Sequence, residues 1–230
     1  MADGIALLCM LYPETASKQE RCLDMLKRNA REYYHQPKAK CTAWSYFVPF
    51  KTKPGEQPII GGLEIYTSKA ALQSQVDDPV YFQPYHATVK KESLYSKPEE
   101  LVGWYQTAGF VSRGAGSKEG EGVLISVTKM DCTDRGQALD VLKSFLPWVD
   151  ANEPGVLTYA MFTRPKAPNE LLLFVRYADR KALQAHGGAP EHVEVVKKLA
   201  TLERSNDTTL WKEVPDSFVS ETVGSVQAKL

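Results

Sequence analysis

Gly4-Ile5-Ala6-Leu7-Leu8 opens this chain and is written again as Gly122-Val123-Leu124-Ile125-Ser126. Outward from that pair the copying continues. Leu23-Asp24-Met25-Leu26-Lys27 returns as Leu139-Asp140-Val141-Leu142-Lys143, and Cys41–Phe47 returns as Val156–Phe162. Tyr66, Ala71-Leu72-Gln73 and Pro79 match Tyr177, Ala182-Leu183-Gln184 and Pro190. Trp104 with Phe110-Val111-Ser112 matches Trp211 with Phe218-Val219-Ser220. The offset shrinks from 118 residues (Gly4 to Gly122) to 107 (Trp104 to Trp211), so the same elements recur in the same order and only loops differ. A repeat of this length is a domain rather than a solenoid unit, whose period is about 20–50 residues.

Each copy reads β-α-β-β-α-β. In the first, Ile5–Tyr12 is a buried strand, and a helix opens near Ser17 with Leu23, Met25, Leu26 and Ala30 at helical spacing. Pro37 is expected to stop that helix. Cys41–Pro49 alternates as a strand, with Thr42, Trp44, Tyr46 and Val48 on one face. Ile59–Tyr66 follows as its hairpin partner, and Ser68 caps a second helix, as Asp179 does in the copy. A last strand surrounds Trp104. The second middle hairpin runs Val156–Thr163 and Glu170–Tyr177, with Arg164–Asn169 as its loop.

This order is the ferredoxin-like plait, an α+β fold. Both helices lie on one face of such a sheet, so the other face needs a cover. The expectation is two tandem ferredoxin-like repeats packed sheet to sheet, an intramolecular dimeric α+β barrel with a pseudo-two-fold axis. The domains read as 1–113 and 122–222, with a Gly-rich linker at 114–121 and a frayed tail at 223–230. Trp104 and Trp211 recur in both copies and read as structural plugs.

Composition narrows the function. The 28 basic and 28 acidic residues cancel, so no field gathers nucleic acid or an anionic membrane. Ile5–Leu11 is too short for a signal core or a span, which predicts a cytoplasmic protein. The four cysteines lack ligand spacing and read as reduced, buried thiols. No GxGxxG, phosphate loop or metal-ligand spacing is present, so neither a metal nor a bound organic cofactor is expected.

Glu153-Pro154-Gly155-Val156-Leu157-Thr158-Tyr159, the passage Tyr177–His186 and Ala189-Pro190-Glu191-His192 resemble the antibiotic-biosynthesis monooxygenase family. Glu64-Ile65-Tyr66, Ser68–Leu72 and Asp78–Phe82 are a looser version in the first copy. The resemblance implies cofactor-independent oxygenation of a small apolar or aromatic molecule, such as a polyketide, a phenol that becomes a quinone, or a jasmonate-like oxylipin acid. O2 would be the co-substrate, and the substrate would itself supply the electrons. A non-oxidative cyclase, decarboxylase or isomerase on the same fold, or a ligand-binding protein without catalysis, is the alternative. A homodimer of the chain is a further expectation.

Aromatic-hydroxylating relatives carry Asn and Trp on the third strand and Tyr on the next helix. Here those places hold Gly62, Tyr66 and Leu72, and in the copy Leu173, Tyr177 and Leu183. Phe82–Val89 resembles the segment in which haem-degrading relatives place an iron-ligating His, here His86. Their accompanying Asn is absent from the first strand, and Gln75 stands in place of their Trp.

The copies diverge on the third strand. Ile60-Gly61-Gly62-Leu63-Glu64 faces Leu171-Leu172-Leu173-Phe174-Val175, so space and a carboxylate are expected in the first half only. Glu64, His86 and Tyr66 are the catalytic candidates. Trp44, Tyr46, Gly62, Leu72 and Phe82 are the substrate-binding candidates. Tyr159, Tyr177, His186 and His192 form the second-half alternative. His186 and His192 are six residues apart, off a shared helical face, which argues against a joint site.

Overall fold

The computed structural model describes residues 4–34, 36–113 and 122–220. Two compact units emerge: residues 4–104 with 213–220, and residues 105–113 with 122–212. The linker 114–121 and the tail 223–230 read from the sequence lie outside the described residues.

In the first unit β1 (Ile5–Leu11) leads to α1 (Ala16–Asn29), β2 (Cys41–Pro49) and β3 (Ile60–Tyr66). Then come α2 (Lys69–Val76), α3 (Phe82–Lys91) and β4 (Glu100–Phe110). The antiparallel pairs β4–β1, β1–β3 and β3–β2 give the plait order β4-β1-β3-β2. Residues Glu100–Trp104 of β4 make that pairing. A short strand β9 (Val219–Ser220) adds a fifth member beside Ala43 and Trp44.

The second unit repeats this plan. It holds β5 (Leu124–Cys132), α4 (Arg135–Asn152), β6 (Val156–Arg164), β7 (Ala167–Tyr177), α5 (Arg180–Gly188), α6 (Pro190–Ala200) and β8 (Glu203–Glu213). Its order is β8-β5-β7-β6, and the end of β4, Tyr105–Phe110, pairs with β6 as the fifth member. The recurring ends take the same place in each unit, with the pairing shifted by one residue. Val219 sits opposite Trp44, and Phe110 opposite Tyr159. The recurring Phe-Val-Ser ends are therefore these fifth strands. Trp104 and Trp211 are both buried, across from Ala6 and Ile125.

Local chemistry sets the boundaries. Helix α1 opens at Ala16, beside the expected Ser17, and Thr15 caps it, its hydroxyl accepting from the Lys18 amide at 3.2 Å. Ser68 accepts from Ala71 at 3.1 Å and Asp179 from Ala182 at 2.8 Å, as their cap positions require. The second helix of each repeat is broken, where the sequence reads as one. Asp78 takes the Val80 and Tyr81 amides on its carboxylate before α3, and Pro190 restarts the chain as α6. The hairpin loop expected at Arg164–Asn169 shrinks to a turn at Pro165-Lys166, because β7 already starts at Ala167.

One departure shapes the site. Helix α1 does not run on to Pro37. After Asn29 it widens into a π-turn, Ala30–Tyr34, a form enriched where backbone geometry serves function. The wider turn buries both Tyr33 and Tyr34. They join Leu26, Trp44, Tyr46 and Tyr66 in a core between sheet and helices. Each such side chain contributes about 1.5–3 kcal/mol by leaving water. The second core gathers Leu142, Phe145, Val149, Tyr159, Met161 and Val175. Among the described residues no helix is long and apolar enough to cross a membrane.

Gly109 follows the bulge at Gln106–Ala108, where β4 meets β6. It has φ +95°, and a Cβ there would stand 2.0 Å from the Tyr159 carbonyl oxygen. Gly109→Ala is expected to destabilise the second unit by about 3 kcal/mol, from the left-handed backbone and the clash together. Thermal unfolding checks this, and an unchanged midpoint would contradict it.

Candidate active site

Strand register builds the site. Trp44 lies opposite Glu64 and Tyr46 opposite Gly62, so Trp44, Tyr46, Glu64 and Tyr66 share the helix-covered face of the sheet. Glu64 is 6% exposed. Tyr46 donates its hydroxyl to Glu64 Oε1 at 2.9 Å, and Tyr66 donates to Oε2 at 2.8 Å. Burial disfavours the charged carboxylate and pushes it from 4.5 up to about 7, with the two tyrosine bonds pulling against that rise. Both phenols are themselves held well above their ordinary range, by burial first and the Glu64 charge second. They therefore remain donors at neutral pH, and each carboxylate oxygen keeps a second lone pair free for a proton.

A cavity of about 70 Å³ opens in front of Glu64. Trp44, Tyr46, Leu72, Phe82 and His86, all singled out from the sequence, line it. Tyr66 does not; it stands behind Glu64 and acts through it.

Gly62 is absent from the wall as well, for a physical reason. A Cβ at Gly62 would meet Cys9 Sγ at 2.5 Å and the Tyr46 ring at 2.8 Å, while one at Gly61 would meet the Phe47 ring at 2.1 Å. The two glycines thus make room for aromatic rings of β2, not for a ligand. Tyr46 over Gly62 in the first unit corresponds to Met161 opposite Leu173 in the second. Gly62→Leu is accordingly a core clash rather than a plug at an open site.

The sequence missed two lining residues of equal weight. Tyr34, carried in by the π-turn, stacks on Trp44 with ring centroids 3.5 Å apart. Its hydroxyl accepts from Gln75 Nε2 at 2.6 Å. Gln75 Oε1 and Trp44 Nε1 are both buried and have no hydrogen-bond partner among the described residues. One unmet acceptor and one unmet donor therefore belong to the cavity wall, as a site awaiting a polar ligand group requires. His86 is partly buried against Phe82, ring centroids 4.3 Å apart. Desolvation lowers its pKa while Glu99 works the other way, which favours a neutral imidazole. Cys9 is buried beside Glu64, and burial and that charge raise its thiol well above the ordinary range, leaving it a poor nucleophile. All four cysteines are buried, and none forms a disulfide among the described residues.

In the second unit Val175 replaces Glu64, opposite Tyr159. His186 is buried and bonded through Nδ1 to Glu153 at 2.6 Å. His192 does meet it: the rings are 4.4 Å apart, against the expectation from helical spacing. The helix break at Ala189 cancels that spacing and folds α6 back beside α5. Tyr159, Tyr177 and Phe145 pack around His186 with centroids 5.5–6.3 Å apart across this group. Burial raises Tyr177 to about 12 and Tyr159 further. His192 is lowered, by burial and then by His186.

The chain's likenesses agree with this double plan. Residues 124–198 match the family model described as antibiotic biosynthesis monooxygenase. The crystal structure named "putative monooxygenase from Lactobacillus acidophilus" superposes with TM-score 0.79 at 14% identity, covering 95% of this chain and 96% of its own. A "putative monooxygenase" of Fusobacterium nucleatum gives 0.81 at 10% identity, with 98% of each chain covered. A structure described as an anthrone oxidase-like protein gives 0.60 at 13% identity, covering 99% and 97%. At these identities the likeness is one of fold. No curated protein matches the chain.

Glu64 links stability to pH with a definite sign. Its native pKa of about 7 exceeds the ordinary 4.5, so the native state holds a proton that the unfolded chain releases. The stabilisation is complete below pH 4.5 and is lost as pH rises through 7, a difference of roughly 3 kcal/mol. Glu64→Gln does not ionise. Relative to the wild type it should therefore gain about that much stability between pH 4.5 and 8, measured by denaturant unfolding. Parallel pH profiles for the two proteins would refute the assignment.

Proposed function

Taking the antibiotic biosynthesis monooxygenase domain at residues 124–198 as premise, we propose that this chain oxidises a small apolar or aromatic molecule at the first unit's cavity. O2 is the co-substrate, and no organic or metal cofactor takes part. The observation that carries the reading is Glu64, a carboxylate poised near neutral pH in an aromatic-walled cavity. A general base is most useful when its pKa lies near the working pH.

The chemistry needs a substrate carbon acidic enough to lose a proton, such as a methylene flanked by aromatic rings or a phenol's conjugated carbon. Glu64 takes that proton, while Tyr46 and Tyr66 hold the carboxylate in place. The Trp44 indole N–H is the donor for negative charge spreading onto the substrate's oxygen, and the Gln75 carbonyl receives a substrate hydroxyl. The carbanion passes one electron to O2, and the resulting radical and superoxide join in a C–O bond. The proton held by Glu64 completes a hydroperoxide. For a methylene, loss of water then leaves a ketone. One methylene and one O2 thus become one ketone and one water, with all four electrons drawn from the substrate carbon. Leu72 and Phe82 keep bulk water from the carbanion. The name of the anthrone oxidase-like relative fits a flanked methylene of this kind.

Family sequence and chemistry thus sit in different copies. The second unit carries the recognisable motif, whereas the first carries the carboxylate and the cavity. At about 70 Å³ the cavity is smaller than the roughly 150 Å³ known to hold a benzene. It takes the reacting edge of a substrate, not the whole of one.

Oxygen uptake with anthrone and hydroquinone substrates tests the proposal. Glu64→Gln should lower kcat/KM at least about 100-fold. The wild-type profile should rise with pH to a midpoint near 7, because the base works ionised. Tyr66→Phe should move that midpoint upward, having lost a bond that favours the anion. Undiminished uptake by Glu64→Gln, or a flat profile, would rule Glu64 out as the base.

A further inference from the structure

A second hollow of about 360 Å³ lies between α1 with its π-turn and α3. Its lining shares two residues with the inner cavity, Asn29 and Tyr85, so one partition separates them. Tyr85 is fixed by a hydroxyl contact with Tyr95. Asn29 is only 8% exposed, yet its carboxamide has no partner among the described residues. Its amide is therefore free to meet a group passing between the two spaces.

The outer hollow also has a charge. Four charged side chains line it: Arg21, Asp24, Arg28 and Arg31. Arg21 is held by Glu92, Arg28 by Glu32, and Asp24 by Lys27. Arg31 alone among these four has no ion-pair partner in the described residues. The inner cavity carries the opposite sign, with Glu64 and Glu99 in its wall. A single segment, residues 29–34, builds both: Arg31 on the outer hollow, Tyr34 in the inner cavity, and Asn29 on each.

We propose that the substrate is an organic carboxylate with an apolar or aromatic body, entering through the α1–α3 hollow past Asn29 and Tyr85. Its acid group pairs with Arg31, its body fills the outer hollow, and its reactive end reaches Glu64. The charge gradient forbids the reverse orientation, which would set the acid group beside two carboxylates. The proposal rests on the reading of the inner cavity as the active site, and it resolves the mismatch between a small cavity and a ring-sized substrate. The outer volume falls in the range of ordinary ligand sites, about 300–1,000 Å³.

Binding of 2-naphthylacetate and of its neutral isostere 2-naphthylacetamide separates charge from shape. The acid should bind the wild-type chain about fivefold tighter at low salt, and the advantage should shrink as salt is added. Arg31→Gln should abolish the preference and leave amide binding unchanged. In NMR spectra the acid should move the Trp44 indole N–H resonance along with the Thr88 amide, and Asn29→Leu should silence the Trp44 response alone. Equal affinity for acid and amide, a preference that survives Arg31→Gln, or Thr88 shifts without a Trp44 shift would each overturn the proposal. None of these readouts needs turnover. A chain that binds as described but consumes no oxygen loses the monooxygenase reading and keeps the anion route.

Discussion

The first unit is organised around one costly act, the burial of the Glu64 carboxylate. A lone charge in a protein interior loses far more hydration than packing returns, so it must be neutralised or supplied with donors. Tyr46 and Tyr66 supply one donor to each oxygen. That demand explains much of the neighbouring sequence. Tyr46 reaches Glu64 only because Gly62 beneath it has no side chain, and Phe47 packs on Gly61 for the same reason. Two tyrosines are enough to keep the carboxylate buried but not to restore its ordinary acidity, and a base near neutrality is the result.

The same backbone carries a different solution in the second unit. Val175 stands where Glu64 stands, Met161 replaces Tyr46, and Leu173 restores the side chain missing at Gly62. Once the carboxylate is gone, the glycines and the tyrosine have no purpose, and all three positions become apolar filling. Buried polarity in that unit includes His186 and Glu153, which bond each other and are enclosed by aromatic rings. Duplication separates two demands that compete within one domain: one copy fills these positions with apolar side chains, and the other holds a buried carboxylate and a cavity.

The plait was legible because it rests on signals that act locally. Alternation in Cys41–Pro49, the caps at Ser68 and Asp179, and the recurrence of both sets in order are short-range properties. The alternation also placed Glu64, Trp44, Tyr46 and Tyr66 on one face. What escaped depends on departures from regular period. Arg31-Glu32-Tyr33-Tyr34 reads as a fifth helical turn, and nothing in its composition announces the π-turn that delivers Tyr34 to Trp44. The meeting of His186 and His192 was readable, since Gly187-Gly188-Ala189-Pro190 is a breaker, but counting residues along one helix conceals it. The role of the glycines was inverted because a missing side chain signals either a void or a neighbour's ring. Only the rotamers of Tyr46 and Phe47 decide which.

The central claim is that Glu64 is buried, bonded and half-ionised near neutral pH. Infrared difference spectra recorded across pH 4 to 9, with Glu64→Gln as the reference, observe this directly through the carboxyl C=O stretch. A band from a protonated, hydrogen-bonded carboxyl group should persist through pH 5 and disappear with a midpoint near 7. Loss of that band around the ordinary 4.5 would mean a solvated carboxylate, and the account of the cavity built on it would be wrong.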